Sequence, residues 1–290
     1  MKGVTMERII KITYDDKAYP DIIRNIKNPP RQLYALGDIS LLHTPCFAVV
    51  GTRRPTEYGK NTARKIGEKL AANGITVISG MAIGIDSCAH MGALDVGKTI
   101  AVLGGGVDIA STAANENLRR RIAKEGLLLS EYPPGYPPAK HTFPLRNRII
   151  SGLASGVIVV EAGIRSGSLI TAELAAEQGR NVYALPGNIT SMSSIGTNKL
   201  LRDGAIPISV IDELLWDMGI GTSEERAERI KLSGDEKIIF DAVSSGGGEV
   251  TADFVCMKTG MSAGKVNGIL TVLEMKGIIC TALGKIFIAN

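Results

Sequence analysis

The most restrictive feature of this sequence is a series of short apolar runs, most of them ended by glycine, that alternate with helical stretches from Cys46 to about Ile211. Near-continuous runs of Val, Ile, Leu and Ala are typical of strands buried on both faces of a parallel sheet. The predicted strands are residues 46–52, 75–80, 99–105, 127–132, 156–162, 181–187 and 205–210. Repeated strand–helix units predict an α/β fold with an extended, Rossmann-like, doubly wound and mostly parallel sheet.

The segments on either side of this region have a different character. Residues 1–45 are expected to be a short N-terminal segment that packs on the Rossmann-like domain 46–218, with an irregular conformation over 12–45. Residues 219–234 are polar and contain several glycines, which is typical of a linker. Residues 235–290 then predict three helices and two short strands about a tight turn, the pattern of a C-terminal winged-helix domain.

Composition argues against several classes of protein. The apolar runs last only five to eight residues, too short to span a bilayer, and the first eleven residues lack a signal-peptide pattern. We therefore expect a cytoplasmic protein without membrane contact. The four cysteines show no metal-ligand spacing, so no metal and no cofactor are predicted. The net charge of +4 permits a polyanionic partner without requiring one.

The loop after the first sheet strand, VGTRRPTEYGK, carries two adjacent arginines. A dinucleotide-binding fold needs GxGxxG at this point, and Arg53 and Arg54 stand where those glycines would be. This argues against NAD or FAD. Guanidinium groups at the carboxyl ends of parallel strands, beside a helix N-terminus, predict a phosphate site. A pair of solvated surface arginines is an equally good interpretation of these residues alone.

Two further strand ends, SGMAIGIDSCAH and LGGGVD, are rich in glycine. Gly80 and Gly84 allow a tight bend, and Asp86 is expected to cap the following helix. His90 has no evident Ser or Cys partner, so a structural role is favoured over catalysis. Gly104 belongs to a turn that either cradles a phosphate or only reverses the chain.

A proline-bounded loop places basic residues around an aromatic one. Lys140, Arg146 and Arg148 flank Phe143 just before and within a predicted helix. This arrangement is typical of a site for single-stranded nucleic acid, because cations contact the backbone while the ring stacks on a base. The alternative, that Phe143 is a buried anchor for the loop, is equally compatible with the sequence.

The stretch EAGIRSGSLITAE provides small and hydroxyl residues at the start of a helix that follows a strand. The hydroxyls of Ser166, Ser168 and Thr171 and the backbone at Gly167 suit an anion. Ser166 or Ser168 is alternatively just the N-cap of the helix, and both interpretations can hold together.

Several of these stretches resemble, in order, the motifs of the DprA/Smf family. They are VGTRRPTEYG, SGMAIGIDSCAH, KHTFPLRNRIISGLASGVIVVEAGIRSGSLITAELAAEQGRNVYALPG and SIGTNKLLRDGA. The resemblance runs from about residue 19 to 215, and the block HTFPLRNRIISGL is highly specific. The predicted winged helix is similar to the one that many members carry.

The resemblance implies a function that the residues alone leave open. Members of the family dimerise, bind single-stranded DNA, protect it, and load a RecA-type recombinase during natural transformation. By motif, Arg53 and Lys140 should contact DNA phosphate, and Phe143 should contact a base. Arg146 and Arg148 belong to the same block, where a role in DNA binding and a structural role both stay open.

The chain departs from the family pattern in two places. Members usually have a Tyr-Pro pair shortly after the GxGxD turn, whereas this chain has GVDIASTAANENLRRR, so the resemblance is weaker over residues 108–115. Many members also have a longer N-terminal helical domain, of which little is found before Tyr19.

The predicted winged helix carries little positive charge. Six acidic and five basic residues give it a net charge of minus one: Asp235, Glu236, Asp241, Glu249, Asp253 and Glu274 against Lys237, Lys258, Lys265, Lys276 and Lys285. Phosphate contacts dominate duplex binding, and the third helix offers only Lys265, Asn267 and Lys276 for them. A protein-interaction or regulatory module is therefore favoured over a reader of duplex DNA.

A function of a different class is a nucleotide-processing enzyme of the nucleoside-phosphate hydrolase type. Glu161 follows a strand near a predicted phosphate-binding helix, where related folds use a carboxylate. No acid–base pair, metal-ligand cluster or Walker loop supports this alternative in the sequence. We therefore predict no catalytic residues and favour a single-stranded-DNA-binding recombination mediator.

Overall fold

The computed structural model describes residues 8–109, 113–217, 232, 234–246, 249–276, 278–282 and 284–288. The chain divides into two compact units, residues 1–211 and 212–290. The predicted linker 219–234 lies almost entirely outside the described residues. The linker and the domain boundaries that depend on it therefore stay predictions.

Within the described part of residues 1–211, nine strands form one sheet. They are β1 Ile10–Thr13, β2 Gln32–Gly37, β3 Cys46–Val50, β4 Thr76–Ser79, β5 Thr99–Leu103, β6 Leu127–Ser130, β7 Gly156–Val159, β8 Asn181–Ala184 and β9 Ile206–Pro207. The order across the sheet is β1-β2-β6-β5-β4-β3-β7-β8-β9. All neighbours from β6 to β9 are parallel, which confirms the predicted α/β fold.

Helices connect these strands and cover both faces of the sheet. They are α1 Asp21–Arg24, α2 Glu57–Ala72, α3 Ile85–Val96, α4 Glu116–Glu125, α5 Thr142–Leu153, α6 Gly167–Glu177 and α7 Ile195–Arg202, with short 3-10 helices at Ile39–His43 and Ala113–Asn115. A further helix, α8 Ile211–Asp217, begins at the last residue of the first unit and otherwise belongs to the second. Helix α2 packs against α3, and α5 packs against α6. Every residue of β3 and of β5 is buried, as expected for strands with helices on both sides.

The direction of winding changes in the middle of the sheet. From β3 the chain proceeds through β4, β5 and β6 toward one edge, and β7, β8 and β9 then extend the sheet on the other side of β3. Loops at the carboxyl ends of β3 and β7 diverge at such a switch point and leave a crevice that commonly binds ligands. The topology therefore indicates where a binding site is expected.

The N-terminal segment differs from the prediction. Residues 12–45 are not irregular, because β1 and β2 join the sheet as an antiparallel pair beside β6. Tyr34 lies opposite Ser130 in this pairing. Gly37 ends β2 with a φ of +117°, and a Cβ there would collide with the carbonyl oxygen of Gly126. The segment is thus part of the sheet and does not merely pack on it.

The predicted strands overrun the observed ones at their carboxyl ends. The strand predicted over 46–52 ends at Val50, and the one predicted over 156–162 ends at Val159. Val160 and Ala162, which follow β7, are still fully buried. Hydrophobicity therefore continues past the last strand hydrogen bond into the loops that form the crevice.

Besides residues 212–217 of α8, the described part of the second unit contains three helices and three short strands. They are α9 Gly234–Ser245, β10 Glu249–Val250, α10 Ala252–Thr259, α11 Ala263–Met275, β11 Ile279–Ala282 and β12 Lys285–Ile288. The three strands form an antiparallel sheet in the order β10-β12-β11. Phe240, Val266 and Leu273 belong to its core. The predicted winged helix is confirmed, with β10 as an additional strand. No described helix of the chain combines the length and the hydrophobicity that crossing a membrane requires.

Candidate functional site

A cleft of about 670 Å³ opens at the carboxyl ends of β3 and β7, where the winding changes direction. We call it the cationic cleft. It is lined by four segments: the end of β3 with the loop after it, the connection from β4 into α3, the first half of α5 with Lys140 shortly before it, and the loop that leads into α6 with the first residues of that helix. The predicted site residues that line it are Arg53, Arg54, Lys140, Phe143, Arg146, Ser166, Gly167 and Ser168. Gly80, Gly104 and Arg148 are not among its lining residues.

Four exposed cations surround the cleft: Arg53, Arg54, Lys140 and Arg165. Within the described part of the chain, none of their side chains forms an ion pair with a carboxylate, and Asp86 is the single acidic residue in the lining. Uncompensated cations around a concave surface concentrate positive potential and attract polyanions. The sequence analysis did not predict Arg165, although a basic residue just before a helix N-terminus is a recognisable signal of an anion site.

Phe143 lies half-buried at the edge of this cleft. The guanidinium carbon of Arg53 is 5.4 Å from the centre of its ring, a cation–π distance. Gly104 lies against the same ring, since a Cβ on Gly104 would come within 2.9 Å of it. The ring is therefore both supported from within the fold and accessible from the cleft, which combines the two interpretations of the sequence. The structure places Gly104 as support for the ring.

The N-terminus of α6 also lines the cleft. Ser166 has the extended backbone of an N-cap residue, but its side chain makes no capping hydrogen bond, and its Oγ lies 2.8 Å from that of Ser168. The carbonyl oxygen of Gly167 accepts a hydrogen bond from Asn147. The first N–H groups of a helix have no acceptor within the helix and carry partial positive charge. This terminus can therefore hold an anion, as the sequence suggested.

Arg146 differs from the four exposed cations because its side chain is only 5% exposed. Its Nη1 donates hydrogen bonds to the carbonyl oxygens of Gly80, at 2.7 Å, and of Val102. A Cβ on Gly80 would lie 2.5 Å from the guanidinium, so this glycine makes room for it. Burial lowers the pKa of Arg146 to about 10, against the opposing effect of Asp86. These contacts support a structural role for Arg146 and Gly80.

Asp86 does not cap the following helix as predicted. Its Oδ2 accepts hydrogen bonds from the backbone N–H groups of Gly80 and Ala82, at 3.1 and 3.3 Å, both in the loop before α3. Gly84, with a φ of +96°, is the N-cap residue instead. Burial raises the pKa of Asp86, while the charge of Arg146 opposes that shift. The carboxylate therefore fixes the loop that meets the floor of the cleft.

Arg148 points away from the cleft. It donates hydrogen bonds to the carbonyl oxygens of Asn28 and Leu145 and forms an ion pair with Glu131 at 2.6 Å. Its side-chain relative exposure is 15%. This geometry supports the structural alternative for Arg148, which connects α5 to the N-terminal segment.

The two residues considered for catalysis both have structural partners. His90 is fully buried, with its Nδ1 2.6 Å from Thr99 Oγ1, and burial together with the charge of Arg146 lowers its pKa to about 3. Glu161 is also buried, and its carboxylate accepts hydrogen bonds from the N–H and hydroxyl of Thr56, the N-cap residue of α2. His90 is tolerated inside the fold because its imidazole is neutral and lies within hydrogen-bond distance of Thr99. Glu161 is tolerated because its carboxylate accepts hydrogen bonds from Thr56.

Comparison with protein families finds two matches. The model described as DNA recombination-mediator protein A matches residues 11–219, and the model described as DprA winged helix domain matches residues 223–285. The chain is 39% identical to a putative DNA processing protein DprA from Mycobacterium tuberculosis over 92% of its own length and 74% of that protein. It is 42% identical to Protein Smf from Synechocystis over 78% of its own length, and spans 58% of that protein.

Two solved structures show the same architecture. DNA processing protein A from Streptococcus pneumoniae superposes with a TM-score of 0.69 and 43% identity, over 72% of this chain and 74% of that one. DNA processing protein A from Helicobacter pylori, described for its single-stranded DNA binding mode, superposes with a TM-score of 0.67 and 35% identity. This similarity covers 73% of this chain and 96% of that one. Both similarities cover roughly the length of the first unit.

Proposed function

The chain belongs to the DNA recombination-mediator protein A (DprA) family, and we propose that it binds single-stranded DNA in the cationic cleft and delivers it to a RecA-type recombinase. The observation that carries the proposal is the set of four exposed cations, with no ion-pair partner among the described residues, in the cleft that holds the half-buried ring of Phe143. Cations that follow a backbone and a ring that stacks on a base are the elements of single-strand binding that is tolerant of sequence.

Each part of the cleft has a role in this proposal. Arg53, Arg54, Lys140 and Arg165 bind phosphates, and the N-terminus of α6 adds N–H donors for a further anionic oxygen. Phe143 stacks on one base. Arg146, which is buried, acts indirectly by fixing the helix that carries Phe143 to the carbonyl groups of Gly80 and Val102.

The test is fluorescence anisotropy with a labelled oligothymidine at several salt concentrations. For single strands, the slope of log K against log salt is about −0.7 for each neutralised phosphate. We expect Arg53→Ala/Lys140→Ala to weaken binding and to make the slope shallower by about 1.4, the share of two cations. The matched control is Arg120→Ala/Lys124→Ala, which removes the same charge from α4, outside the cleft, and should leave both quantities unchanged.

No binding by a well-folded wild-type protein would overturn the proposal. Equal weakening by the two double variants would show that net charge, and not this cleft, is responsible for binding.

We also propose that the protein protects incoming single-stranded DNA during natural transformation, and that it acts as a homodimer. Family membership supports these parts. Two clefts on one dimer would increase avidity for a long strand. The molar mass from light scattering tests whether the protein is a dimer. The rate at which a RecA-type recombinase forms filaments on protein-coated single strands tests loading.

We further propose that the protein is not an enzyme. Glu161, the carboxylate on which a hydrolase alternative depends, accepts hydrogen bonds from Thr56, and His90 is fully buried beside Thr99 and is not one of the cleft-lining residues. Release of base or phosphate from nucleoside monophosphates by the purified protein would contradict this.

The winged helix is proposed to be a protein-interaction or regulatory module. Both lysines of its third helix region are paired within the unit: Lys265 with Asp235 at 2.8 Å, and Lys276 with Glu236 at 2.7 Å. Paired cations contribute less to phosphate binding than free ones because an existing partner must be displaced. Loss of duplex-DNA binding when residues 235–290 are deleted would overturn this proposal.

A further inference from the structure

A second cavity, of about 520 Å³, lies beside the cationic cleft at the same edge of the sheet. Its walls are the start of α2, the residues that follow β7 and the loop between β8 and α7. None of the residues predicted from the sequence to bind DNA lines it. The function proposed above therefore assigns no role to it.

The two cavities share a wall. Arg54 and Gly163 line the cationic cleft, whereas Thr56 and Glu161, each two residues away from one of them, line the second cavity. Thr52 joins the two sides of this wall by donating a hydrogen bond to the carbonyl oxygen of Glu161 at 2.7 Å. Positions 54 and 56 are two residues apart, which corresponds to at most about 7 Å along the backbone. A single strand bound in one cavity therefore readily reaches the other.

The chemistry of the second cavity differs from that of the cleft. No lysine or arginine lines it among the described residues, and its charged group, Glu161, is already bound to Thr56. Such a cavity does not attract a phosphate. It does present an aromatic ring, because Tyr58 in the first turn of α2 is 59% exposed.

Polar groups in the same cavity are available for hydrogen bonds. Ser194 is buried, and its hydroxyl has no hydrogen-bond partner among the described residues. The Oδ1 of Asn188 accepts from Thr190, which leaves its amide N–H groups for another partner. Gly187 makes room for this hydroxyl, since a Cβ on Gly187 would collide with Ser194 Oγ. A planar, uncharged group with donors and acceptors at its edge fits this lining.

We propose that the second cavity binds a nucleobase, contributed by a nucleotide that neighbours the one held at Phe143 on the same strand, with Tyr58 stacked on it. The inference rests on the proposed single-strand binding and adds a second base site to it. The cationic cleft binds the phosphates that link the two nucleotides. The shared wall at residues 54–56 separates the two bases.

The experiment compares two labelled oligomers of equal length and charge, an oligothymidine and a fully abasic strand, by fluorescence anisotropy with the full chain. We expect Tyr58→Ala to weaken binding of oligothymidine at least about fivefold, the lower end of what one stacked base contributes. Tyr58→Phe, which keeps the ring, should bind like the wild type. On the abasic strand, Tyr58→Ala and the wild type should bind equally, whereas Lys140→Ala should weaken binding of both strands.

Ile189→Ala is the matched control, because Ile189 is 88% exposed in the same loop between β8 and α7 and is not itself a lining residue. If wild type and Tyr58→Ala bind oligothymidine equally while Lys140→Ala binds it more weakly, the second base site is wrong and the proposed function stands. If Tyr58→Ala weakens binding of both strands equally, Tyr58 does not contact a base and the inference fails. If the wild type binds neither strand, the proposed function itself fails.

Discussion

His90 shows how a polar residue can be essential to a fold without taking part in chemistry. It is fully buried between α3 and the sheet, with Thr99 Oγ1 2.6 Å from its Nδ1, and within the described structure its Nε2 has no hydrogen-bond partner. Burial and the charge of Arg146 lower its pKa to about 3. The folded protein therefore holds the neutral imidazole through the range in which an unfolded chain binds a proton.

This pKa predicts a loss of stability in acid. The folded pKa lies below the value of about 6.5 expected in the unfolded chain, so the unfolded state gains a proton first as the pH falls. Between pH 7 and pH 5 we expect the His90 contribution to the free energy of unfolding to fall by about 2 kcal/mol. Urea denaturation at both pH values measures it.

His90→Gln provides the comparison, since glutamine is neutral at both pH values. The wild type should lose more stability than this variant over the same range. Equal losses in the two proteins would show that His90 does not titrate in this way.

Arg146 illustrates what the sequence could not predict at the scale of single residues. The sequence placed Lys140, Arg146 and Arg148 together around Phe143, and helical periodicity alone does not say which of them faces solvent. The structure exposes Lys140, buries Arg146 against Gly80 and Val102, and pairs Arg148 with Glu131. Burial depends on what the other elements place above each side chain, and those elements are distant in sequence.

At the scale of elements, Phe143 depends on the glycine-rich turn after β5. Gly104 lies so close to the ring that a single added methyl group would meet it at 2.9 Å. We predict that Gly104→Ala displaces Phe143 and weakens binding of single-stranded DNA several-fold, since one base–aromatic stack contributes about 1–3 kcal/mol. Anisotropy with oligothymidine measures the affinity.

The control for this prediction is Gly268→Ala in α11. A Cβ at Gly268 meets nothing within 4 Å, and alanine favours a helix, so binding should be unchanged. Binding by Gly104→Ala equal to that of the wild type would show that Phe143 does not need this support.

Element by element, the sequence predicted the parallel strands and the antiparallel pair β11 and β12, and it missed β1, β2 and β10. Strands β3 and β7 are recognisable in the sequence as unbroken apolar runs, because they are buried on both faces. Strand β1, Ile10–Thr13, has four residues with mixed exposure, and β10 has only two. Such short segments have no periodicity of their own, and they are strands because a distant partner pairs with them.

At the scale of the whole molecule, four exposed cations in one cleft set the response to salt. With four phosphates neutralised, the slope of log K against log salt should be about −3 for a strand bound in one cleft. A dimer that binds one strand in two clefts should show about twice that value. Anisotropy with a short and a long oligothymidine, over a series of NaCl concentrations, distinguishes the two. A slope near zero for both lengths would contradict binding through phosphates.

The antiparallel edge of the sheet has a consequence for how the chain is made. Residue Gly37 of β2 pairs with Leu127 of β6, about 90 residues later in the sequence. At a synthesis rate of about 5–20 residues per second, β2 is synthesised roughly 5–18 seconds before its partner. During that interval the hydrogen-bonding edge of β2 that later faces β6 is unpaired. The newborn N-terminal segment therefore needs its open strand edge protected from other chains while translation continues.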